Sequence, residues 1–498
     1  MTDSDFPSHH DVLVLGGGVA GCVLAARLSA DTDRSVCLVE AGPDYGPDSP
    51  NWPQTMLDAR VLPRDEVWET EPAPHRIRAK VLGGSSCING CWHTWGSEQD
   101  HAGWAARGGP DWSAAGLEPF RQVAVERMRL RAIPDAELSV WSSGALAAAA
   151  ELGYPEVADL AAPGVGPGYG CPPVNAIGDL RWNAAFAYLN PARDRPNLSI
   201  LSGTTVHRLI VRAGVVQGVE VDQGGTPRTL TADTYILTAG AYGSPAVLLR
   251  SGIGPADHLS ELGVPVEVDL PAVGSNLTDH PCLVLPLTPT AELNAALARK
   301  EAAGELYASQ VALKAASELC PEGGWDLHLL PTAGPPLFGS LPPGEYEVGI
   351  AAFLMSPLSR GSLRLRSADP DVPVDIDLAL FTDPDGRDLA VARDGLRLAA
   401  ELAASSALKS WATPAAGGDP AALGDDELRS RAGTYWHPVG TCAMGTGDDA
   451  VVDPEGRVRG VANLRVVDAS ILPTVPAANT QLPVLAVAEL LAERLIRG

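Results

Sequence analysis

The first forty residues constrain this chain most, because they follow a strand–glycine loop–helix–strand order. Residues 11–15 are a nearly continuous apolar run, as in a strand buried on both faces. The glycine-rich segment 16–21 follows directly, then an Ala- and Leu-rich helix at 22–30 and a second strand at 35–40. This order puts a GxGxxG motif between a strand and a helix, the setting in which the motif binds dinucleotides.

Each residue of the motif has a physical role in such a site. Gly16 permits the tight turn, Gly18 lets the backbone approach a pyrophosphate, and Gly21 lets helix and strand pack closely. The helix N-terminus offers free N–H groups to the phosphates. Glu40 ends the second strand, where it would accept hydrogen bonds from a ribose and disfavour a 2′-phosphate, so FAD or NAD is preferred over NADP. The predicted site also includes Val19, Ala20 and Ala41.

The rest of the chain predicts an α/β protein with two sheets. Residues 205–240 read as short strands with hairpin turns, the last of them a buried strand, and 465–468 is a late strand. Residues 281–380 alternate, which favours a mainly antiparallel sheet with one exposed face. We therefore predict a doubly wound, Rossmann-like domain assembled from discontinuous segments, with an inserted second domain. The predicted boundaries are 1–150, 200–280 and 421–498 for the first domain, and 151–199 and 281–420 for the second.

Composition excludes several classes of function. The 498 residues carry a net charge of −25, which disfavours nucleic acid and anionic membrane surfaces. No apolar run approaches the roughly 20 residues that span a bilayer, and the acidic N-terminus lacks the pattern of a secretory signal. The eight cysteines are too sparse for a disulfide scaffold, and Cys87 and Cys91 lack a second ligand pair for zinc. We expect a soluble cytoplasmic protein without metal, membrane or nucleic-acid partners.

Further stretches identify a family resemblance. Residues 79–90 (AKVLGGSSCING) and 240–254 (GAYGSPAVLLRSGIG) resemble the two signatures of the glucose–methanol–choline (GMC) flavoprotein oxidoreductases. Residues 436–445 (WHPVGTCAMG) are similar to the segment that carries the family's active-site histidine. Residues 467–470 and 479–480 resemble its C-terminal flavin-contacting stretch. These segments span the chain in the family's order.

The resemblance implies an FAD-binding domain and a substrate domain built on an antiparallel sheet. It selects FAD over NAD and implies oxidation of alcohols with hydride transfer to flavin N5. Members with covalently tethered FAD carry histidine at the place of Ile88, so non-covalent FAD is expected here. The further residues expected at the cofactor are Gly83, Gly84, Ser85, Asn89, Gly90, Val206, Ala239, Gly240, Trp436, Asp468, Ala469 and Thr480.

His437 is the expected catalytic base, because a neutral imidazole suits removal of a hydroxyl proton and the residue matches the family's catalytic histidine. Asn479 matches a His-or-Asn position, where it would orient the substrate hydroxyl but could not serve as a second base. His280, after Asp279, is interpreted as structural, and the pair at 9–10 as a solvated tail.

The substrate pocket is less defined by the sequence. The family usually has an aromatic residue at the place of His93 and an arginine near Trp95, and this chain has neither. The side chains of His93 and Trp95 either line the pocket or pack within the loop. The sequence supports two interpretations of His328 equally: a residue that lines the pocket, or an ordinary histidine of a strand. The predicted function is oxidation of a primary or secondary alcohol, with the flavin reoxidised by O2 or another acceptor. The alternatives are a non-redox lyase of the hydroxynitrile type that uses the same histidine, and a flavin-binding scaffold without turnover.

Overall fold

The computed structural model describes residues 9–68, 77–336, 341–415 and 423–497. Its strands, in chain order, are β1 His9–Leu15, β2 Val36–Val39, β3 Gly168–Gly170, β4 Ala176–Ile177, β5 Leu180–Arg181, β6 Leu198–Leu201, β7 Thr204–Arg212, β8 Val215–Gln223, β9 Thr226–Leu237, β10 Ile253–Gly254, β11 Val268–Asp269, β12 Pro281–Pro289, β13 Ala312–Ala315, β14 Leu327–Gly334, β15 Glu347–Leu354, β16 Ser362–Arg364, β17 Asp375–Asp377, β18 Ala412–Pro414, β19 Gly433–Thr434 and β20 Leu464–Val466. Its α-helices are α1 Val19–Leu28, α2 Gln54–Leu57, α3 Glu98–Gly108, α4 Ala114–Arg127, α5 Val140–Glu151, α6 Gly240–Arg250, α7 Ala256–Glu261, α8 Ala291–Ala302, α9 Arg387–Ala404, α10 Asp425–Ser430 and α11 Gln481–Arg497.

The first sheet carries the glycine loop at one end. Its strand order is β6-β2-β1-β9-β8-β7, with β20 beside the end of β9. β6, β2, β1, β9 and β20 run parallel, whereas β7, β8 and the start of β9 form the predicted hairpins. Leu13, Val14 and Leu15 are fully buried, as the apolar run predicted. α1 packs against α11, which in turn packs against α4. The predicted α/β fold with a Rossmann-like unit is confirmed.

The second sheet is antiparallel, in the order β18-β12-β15-β14-β13-β3, with β19 beside β12. The expectation of one exposed face is wrong for its central strands, since β14 and β15 are buried along nearly their whole length. Helices α9 and α5 cover one face. The other face holds Phe353 and Cys282 in an apolar cluster with Tyr435 and Ala477, which lie beside the predicted catalytic residues. Both faces are therefore covered, so alternation with polar residues is not required.

The predicted domain boundaries stay a prediction, and packing across them is extensive. Trp141 of α5, inside the first predicted segment, packs into the core beneath the second sheet. Leu363 of β16, inside 281–420, packs into the core of the first sheet. The N-terminal pair is not a solvated tail, because His9 begins β1 and His10 is 3% exposed. Among the helices of the described segments, none is long and apolar enough to cross a membrane.

Candidate active site

The glycine loop leaves no room for side chains at two of its glycines. Gly16 has φ +121°, a conformation that favours glycine. A Cβ atom at Gly21 would lie 1.9 Å from the carbonyl oxygen of Gly16, so the helix approaches the end of the strand as closely as only glycine permits. Gly18 caps α1 without a side-chain hydrogen bond. The N–H groups of the first turn of α1 are therefore left for another acceptor.

Glu40, directly after β2, stabilises the glycine loop through hydrogen bonds. Its Oε2 accepts a hydrogen bond from Gly17 N–H at 2.7 Å, and its Oε1 accepts one from Gly42 N–H at 2.8 Å. Burial raises the pKa of Glu40 to about 7, although these backbone N–H groups act in the opposite direction. A carboxylate has lone pairs for further donors, so bracing the loop and accepting from a ribose are compatible roles.

The second glycine-rich stretch, residues 79–90, packs directly on the glycine loop 16–21. Gly83 N–H donates to Gly17 O at 2.8 Å, and a Cβ atom at Gly84 would lie 2.7 Å from the Cα of Gly18. Ser85 and Gly90 are exposed along the same segment. Asn89, expected at the flavin, donates its side-chain amide to Gln481 Oε1. This bond ties the segment to the first residue of α11.

Asp468 accepts three hydrogen bonds, two from the start of α6 and one from Ser470. Its Oδ2 accepts from Gly240 N–H at 2.9 Å and from the Ser244 hydroxyl at 2.5 Å, while its Oδ1 accepts from Ser470 N–H at 2.8 Å. Asp468 is 5% exposed, and burial raises its pKa. The cofactor contact predicted for Asp468 from the sequence stays a prediction; in the structure its bonds join the start of α6 to the segment around Ser470.

The backbone of the two glycine-rich stretches, 16–21 and 79–90, and of the start of α6 leaves open space for a dinucleotide. A Cβ atom added at Gly90 or Gly240 would meet no protein atom within 4 Å, and one at Gly18 would meet only Thr238 O, at 3.9 Å. Backbone thus borders open space beside uncapped N–H donors, which is the donor set that a pyrophosphate requires. The other predicted cofactor residues at partly or fully exposed positions are Val19, Val206, Ala239, Trp436, Ala469 and Thr480, whereas Ala20 is buried.

His437 is brought to the site by pairing between two distant segments. Thr278 and Val439 form an antiparallel bridge, and Tyr435 N–H donates to His280 O at 3.1 Å. Asp279 Oδ1 accepts from the backbone N–H of His437 at 2.9 Å. These contacts hold the segment around His437 against 278–280, with the His280 and His437 ring centroids 5.3 Å apart.

Hydrogen bonds determine which nitrogen of His437 carries a proton. His280 Nε2 lies 3.0 Å from the carbonyl oxygen of Pro476, which only accepts, and we therefore assign the ring proton of His280 to Nε2. The neutral His280 then has its lone pair on Nδ1, which lies 3.1 Å from Nδ1 of His437. His437 therefore donates from Nδ1 and keeps its lone pair on Nε2. This is the tautomer of a base that acts through Nε2.

Both imidazoles are neutral at neutral pH. Burial lowers the pKa of His280 to about 3. Burial also lowers the pKa of His437 well below its ordinary value, and the nearby His280 and Arg78 act in the same direction. Tyr435 covers one side of His437, with ring centroids 4.3 Å apart, and stacks on Phe353 at 3.8 Å. The imidazole is thus unprotonated and can accept a proton.

Asn479 is oriented by Thr94. The Thr94 hydroxyl donates to Asn479 Oδ1 at 2.9 Å, and Asn479 N–H donates to the Thr94 hydroxyl oxygen at 2.8 Å. Thr94 is fully buried and Asn479 is 8% exposed. Because the amide oxygen of Asn479 is occupied by this bond, its NH2 group is the one left to donate to a substrate oxygen.

Removing the Thr94 hydroxyl should misorient Asn479. In Thr94→Val, we expect the rate of flavin reduction by an alcohol to fall about three- to tenfold, the effect of one hydrogen bond. Thr94→Ser keeps the hydroxyl and should retain nearly the wild-type rate. The measurement is the anaerobic reduction rate of FAD-loaded protein, with FAD content and melting temperature as controls. Equal rates in the Val and Ser variants would show that the bond has no role in orienting Asn479.

The three residues considered for the pocket lie in different surroundings. His93 is fully buried, with Nε2 3.0 Å from Asn175 Oδ1, and Trp95 stacks on His101 with centroids 4.8 Å apart. These contacts correspond to the loop-packing alternative. His328 lies on the site-facing side of the second sheet, 6.1 Å from Tyr435 between ring centroids. From the sequence, His280 received only a structural interpretation, and Thr94 was not singled out; the Asp279-His280 pair was the available signal for the first of these residues.

Comparison with known proteins decides the family. Models of the GMC oxidoreductase family match residues 10–282 and 357–488. The chain belongs to the GMC oxidoreductase family. It is therefore a flavoprotein of the class that oxidises CH–OH donors, and the predicted family, enzyme class and dependence on FAD are confirmed.

Several relatives resemble this GMC oxidoreductase along their whole length. The 5-(hydroxymethyl)furfural oxidase of Methylovorus sp. (strain MP688) is 36% identical, covering 100% of this chain and 99% of the relative. The oxygen-dependent choline dehydrogenase of Paraburkholderia phymatum is 33% identical, covering 98% of this chain and 92% of the relative. The crystal structure of pyridoxine 4-oxidase from Mesorbium loti superposes with a TM-score of 0.85 at 29% identity, covering 98% and 99% of the two chains.

Proposed function

We propose that this protein oxidises the hydroxymethyl group of a small ring compound to the aldehyde. Such a compound is a primary alcohol, one of the two classes of alcohol expected from the sequence. Two relatives support this choice, since their names give 5-(hydroxymethyl)furfural and pyridoxine as substrates. The aromatic side chains around His437, among them Tyr435 and Phe353, favour a flat apolar ring. The observation that carries the proposal is the pair of contacts of His280, Nε2 at 3.0 Å from Pro476 O and Nδ1 at 3.1 Å from His437 Nδ1, which supports a lone pair on Nε2 of His437.

In this mechanism the chain supplies proton transfer and orientation. Nε2 of His437 takes the hydroxyl proton of the alcohol, and its Nδ1–H bond to His280 holds the ring in place. The resulting imidazolium stabilises the alkoxide-like oxygen. The amide NH2 of Asn479 donates to the same oxygen, in the orientation that Thr94 imposes. Bound FAD supplies the hydride acceptor at N5.

The cofactor is proposed to be held without a covalent bond. Ile88 occupies the position where covalently linked members of the family carry histidine, and an alkyl side chain offers no nucleophile. Denaturing the purified protein with acid should leave the yellow colour in the supernatant, whereas colour retained on the precipitated polypeptide would contradict this. The reducing cytoplasm is the proposed compartment, in keeping with eight free thiols, and O2 or another acceptor is proposed to reoxidise the flavin.

The decisive experiment is anaerobic addition of an alcohol panel to the FAD-loaded protein. Arylmethanols should bleach the visible band of oxidised flavin and release the aldehyde. A flavin that stays oxidised with every alcohol would contradict the proposal. If the flavin also stays oxidised while a cyanohydrin is split, the lyase alternative is selected, and if neither reaction occurs, the scaffold alternative is selected.

A further inference from the structure

The loop 474–479, which leads into α11, influences both residues of the proposed chemistry. Pro476 O lies 3.0 Å from His280 Nε2, and this contact underlies the assignment of the lone pair of His437 to its Nε2. Asn479 is the last residue of the same loop. A shift of the loop would therefore disturb the tautomer of the imidazole pair and the orientation of the Asn479 amide together.

Asp100, in the first turn of α3, binds the middle of this loop. Its Oδ2 accepts a hydrogen bond from the backbone N–H of Ala477 at 2.9 Å. The same oxygen accepts bonds from the N–H and the hydroxyl of Ser97, at 2.7 and 2.8 Å. Ser97 Oγ in turn accepts from the Asp100 N–H at 3.2 Å, so Ser97 and Asp100 form the capping box that begins α3. One carboxylate oxygen thus joins the start of a helix to the loop.

Two further residues attach the ends of the loop to the same part of the chain. Trp104 lies one turn after Asp100, on the same face of α3, and its Nε1–H donates to the Thr474 hydroxyl at 2.9 Å. Thr94, shortly before α3, exchanges two hydrogen bonds with Asn479. The loop is therefore held at its start, its middle and its end by α3 and by the segment that leads into it.

The contact between Asp100 and the loop is tightly packed. A Cβ atom added at Gly96 would lie 3.1 Å from Asp100 Oδ2 and 3.3 Å from the Cβ of Pro476. Ala477 is fully buried, so water does not reach its N–H while the loop keeps this position. A buried N–H without an acceptor is unfavourable. Removal of the Asp100 carboxylate is therefore expected to move the loop rather than leave the N–H of Ala477 unpaired.

We propose that Asp100 is a positioning residue for alcohol oxidation: together with Trp104, it fixes the loop 474–479 in place. This inference rests on the proposed function and extends it to a residue that acts through the loop. The fixed loop keeps the imidazole pair in one tautomer and the Asn479 amide directed at the substrate oxygen. Reaction rates depend steeply on such placement, and a displacement of about 1 Å can slow a reaction about a hundredfold.

Nitrogen NMR of the imidazoles tests the inference without turnover. FAD-loaded protein labelled at its histidine nitrogens shows which ring nitrogens carry a proton, and the signals are assigned by their loss in His280→Gln and His437→Ala. In the wild type, His280 should be protonated at Nε2 and His437 at Nδ1. In Asp100→Ala, both signals should shift towards the average of two tautomers, because Pro476 O no longer stays at His280.

Three further variants separate positioning of the loop from stability of the helix. Asp100→Asn keeps an oxygen that can accept from Ala477 and should retain the wild-type signals. Ser97→Ala removes the N-cap hydroxyl of α3 and keeps the bond between Asp100 and Ala477, so it should also retain them. Thr474→Val removes only the acceptor of the Trp104 indole and should shift the signals in the same direction as Asp100→Ala, to a smaller extent.

Anaerobic reduction of the flavin by a saturating arylmethanol supplies the kinetic readout. Asp100→Ala should lower the rate of reduction about ten- to hundredfold, whereas Asp100→Asn and Ser97→Ala should stay within about threefold of the wild type. The change in KM should be much smaller, because a shifted loop misaligns a bound alcohol more than it weakens its binding.

The outcomes separate this inference from the proposed function. Imidazole signals that stay unshifted in folded, FAD-loaded Asp100→Ala would overturn the inference. So would a loss of rate in Ser97→Ala equal to that in Asp100→Ala. If Asp100→Ala does not fold, Thr474→Val decides: shifted signals support the inference and unshifted signals overturn it. If no alcohol reduces the wild-type flavin, the proposed function fails, and the imidazole signals still decide the role of Asp100.

Discussion

Replacing Gly21 by alanine is expected to give protein without bound FAD. The new Cβ atom would lie 1.9 Å from the carbonyl oxygen of Gly16 and 3.1 Å from the hydroxyl of Thr238. Neither neighbour can move freely, because the Thr238 hydroxyl itself donates to Gly16 O at 2.6 Å. The helix must therefore move away from β1, and this displaces the N–H groups that we expect to bind the pyrophosphate of FAD. Overpacking typically costs about 1–3 kcal/mol, and a clash with backbone belongs at the upper end of that range.

The measurement is the ratio of flavin to protein absorbance after purification, together with the melting temperature. Gly103→Ala is the matched control, because Gly103 also lies within a helix, α3, and its added Cβ would meet no atom within 4 Å. That substitution should keep FAD and stabilise the fold by up to about 1 kcal/mol. A Gly21→Ala protein that binds FAD and melts like the wild type would show that the helix does not depend on this close approach.

The sequence predicted those parts of the fold that depend on residues close together in the chain. The glycine loop was predictable because its turn, its helix start and its buried strands all lie within residues 11–40. The hairpins of β7, β8 and β9 were predictable from the glycines at their turns. The second sheet was predicted as antiparallel, but the burial of both its faces was not, because it depends on α9 and on the distant segments that carry Tyr435 and Ala477.

Of the candidate site, the sequence predicted only the residues that lie in recognisable motifs. His437 and Asn479 lie in family-like stretches, whereas their supports come from elsewhere. His280 lies 157 positions before His437, and Thr94 lies 385 positions before Asn479. No periodicity in the sequence specifies such pairings. Likewise, only the fold shows that Asp468 Oδ2 accepts hydrogen bonds from Gly240 and Ser244 at the start of α6, because Gly240 lies 228 positions earlier in the chain.

Replacing His437 by alanine is expected to have the largest effect on chemistry. An alcohol hydroxyl holds its proton tightly, so hydride can leave the carbinol carbon readily only if a base takes that proton. In the variant, Asn479 still donates to the oxygen but has no lone pair suited to accept the proton. Loss of a general base typically slows a reaction by about a hundredfold to ten-thousandfold. We expect FAD binding to persist, because the glycine loop and Asp468 are untouched.

Two controls distinguish a chemical from a structural effect of this substitution. His9→Ala makes the same change at an exposed histidine far from the site in sequence and should leave reduction unchanged. Reduction of the His437→Ala flavin by dithionite should proceed as in the wild type, because that reaction needs no proton from an alcohol. A variant that has lost FAD or melts early would indicate disturbed folding.

The most direct test of the account is the rate at which a saturating arylmethanol reduces the flavin in the absence of oxygen, compared in stopped flow between wild type and His437→Ala. The account predicts rapid bleaching of the wild type and, in the variant, bleaching slower by about a hundredfold or more with FAD still bound. Bleaching of the FAD-loaded variant at the wild-type rate would contradict the claim that Nε2 of His437 accepts the alcohol proton.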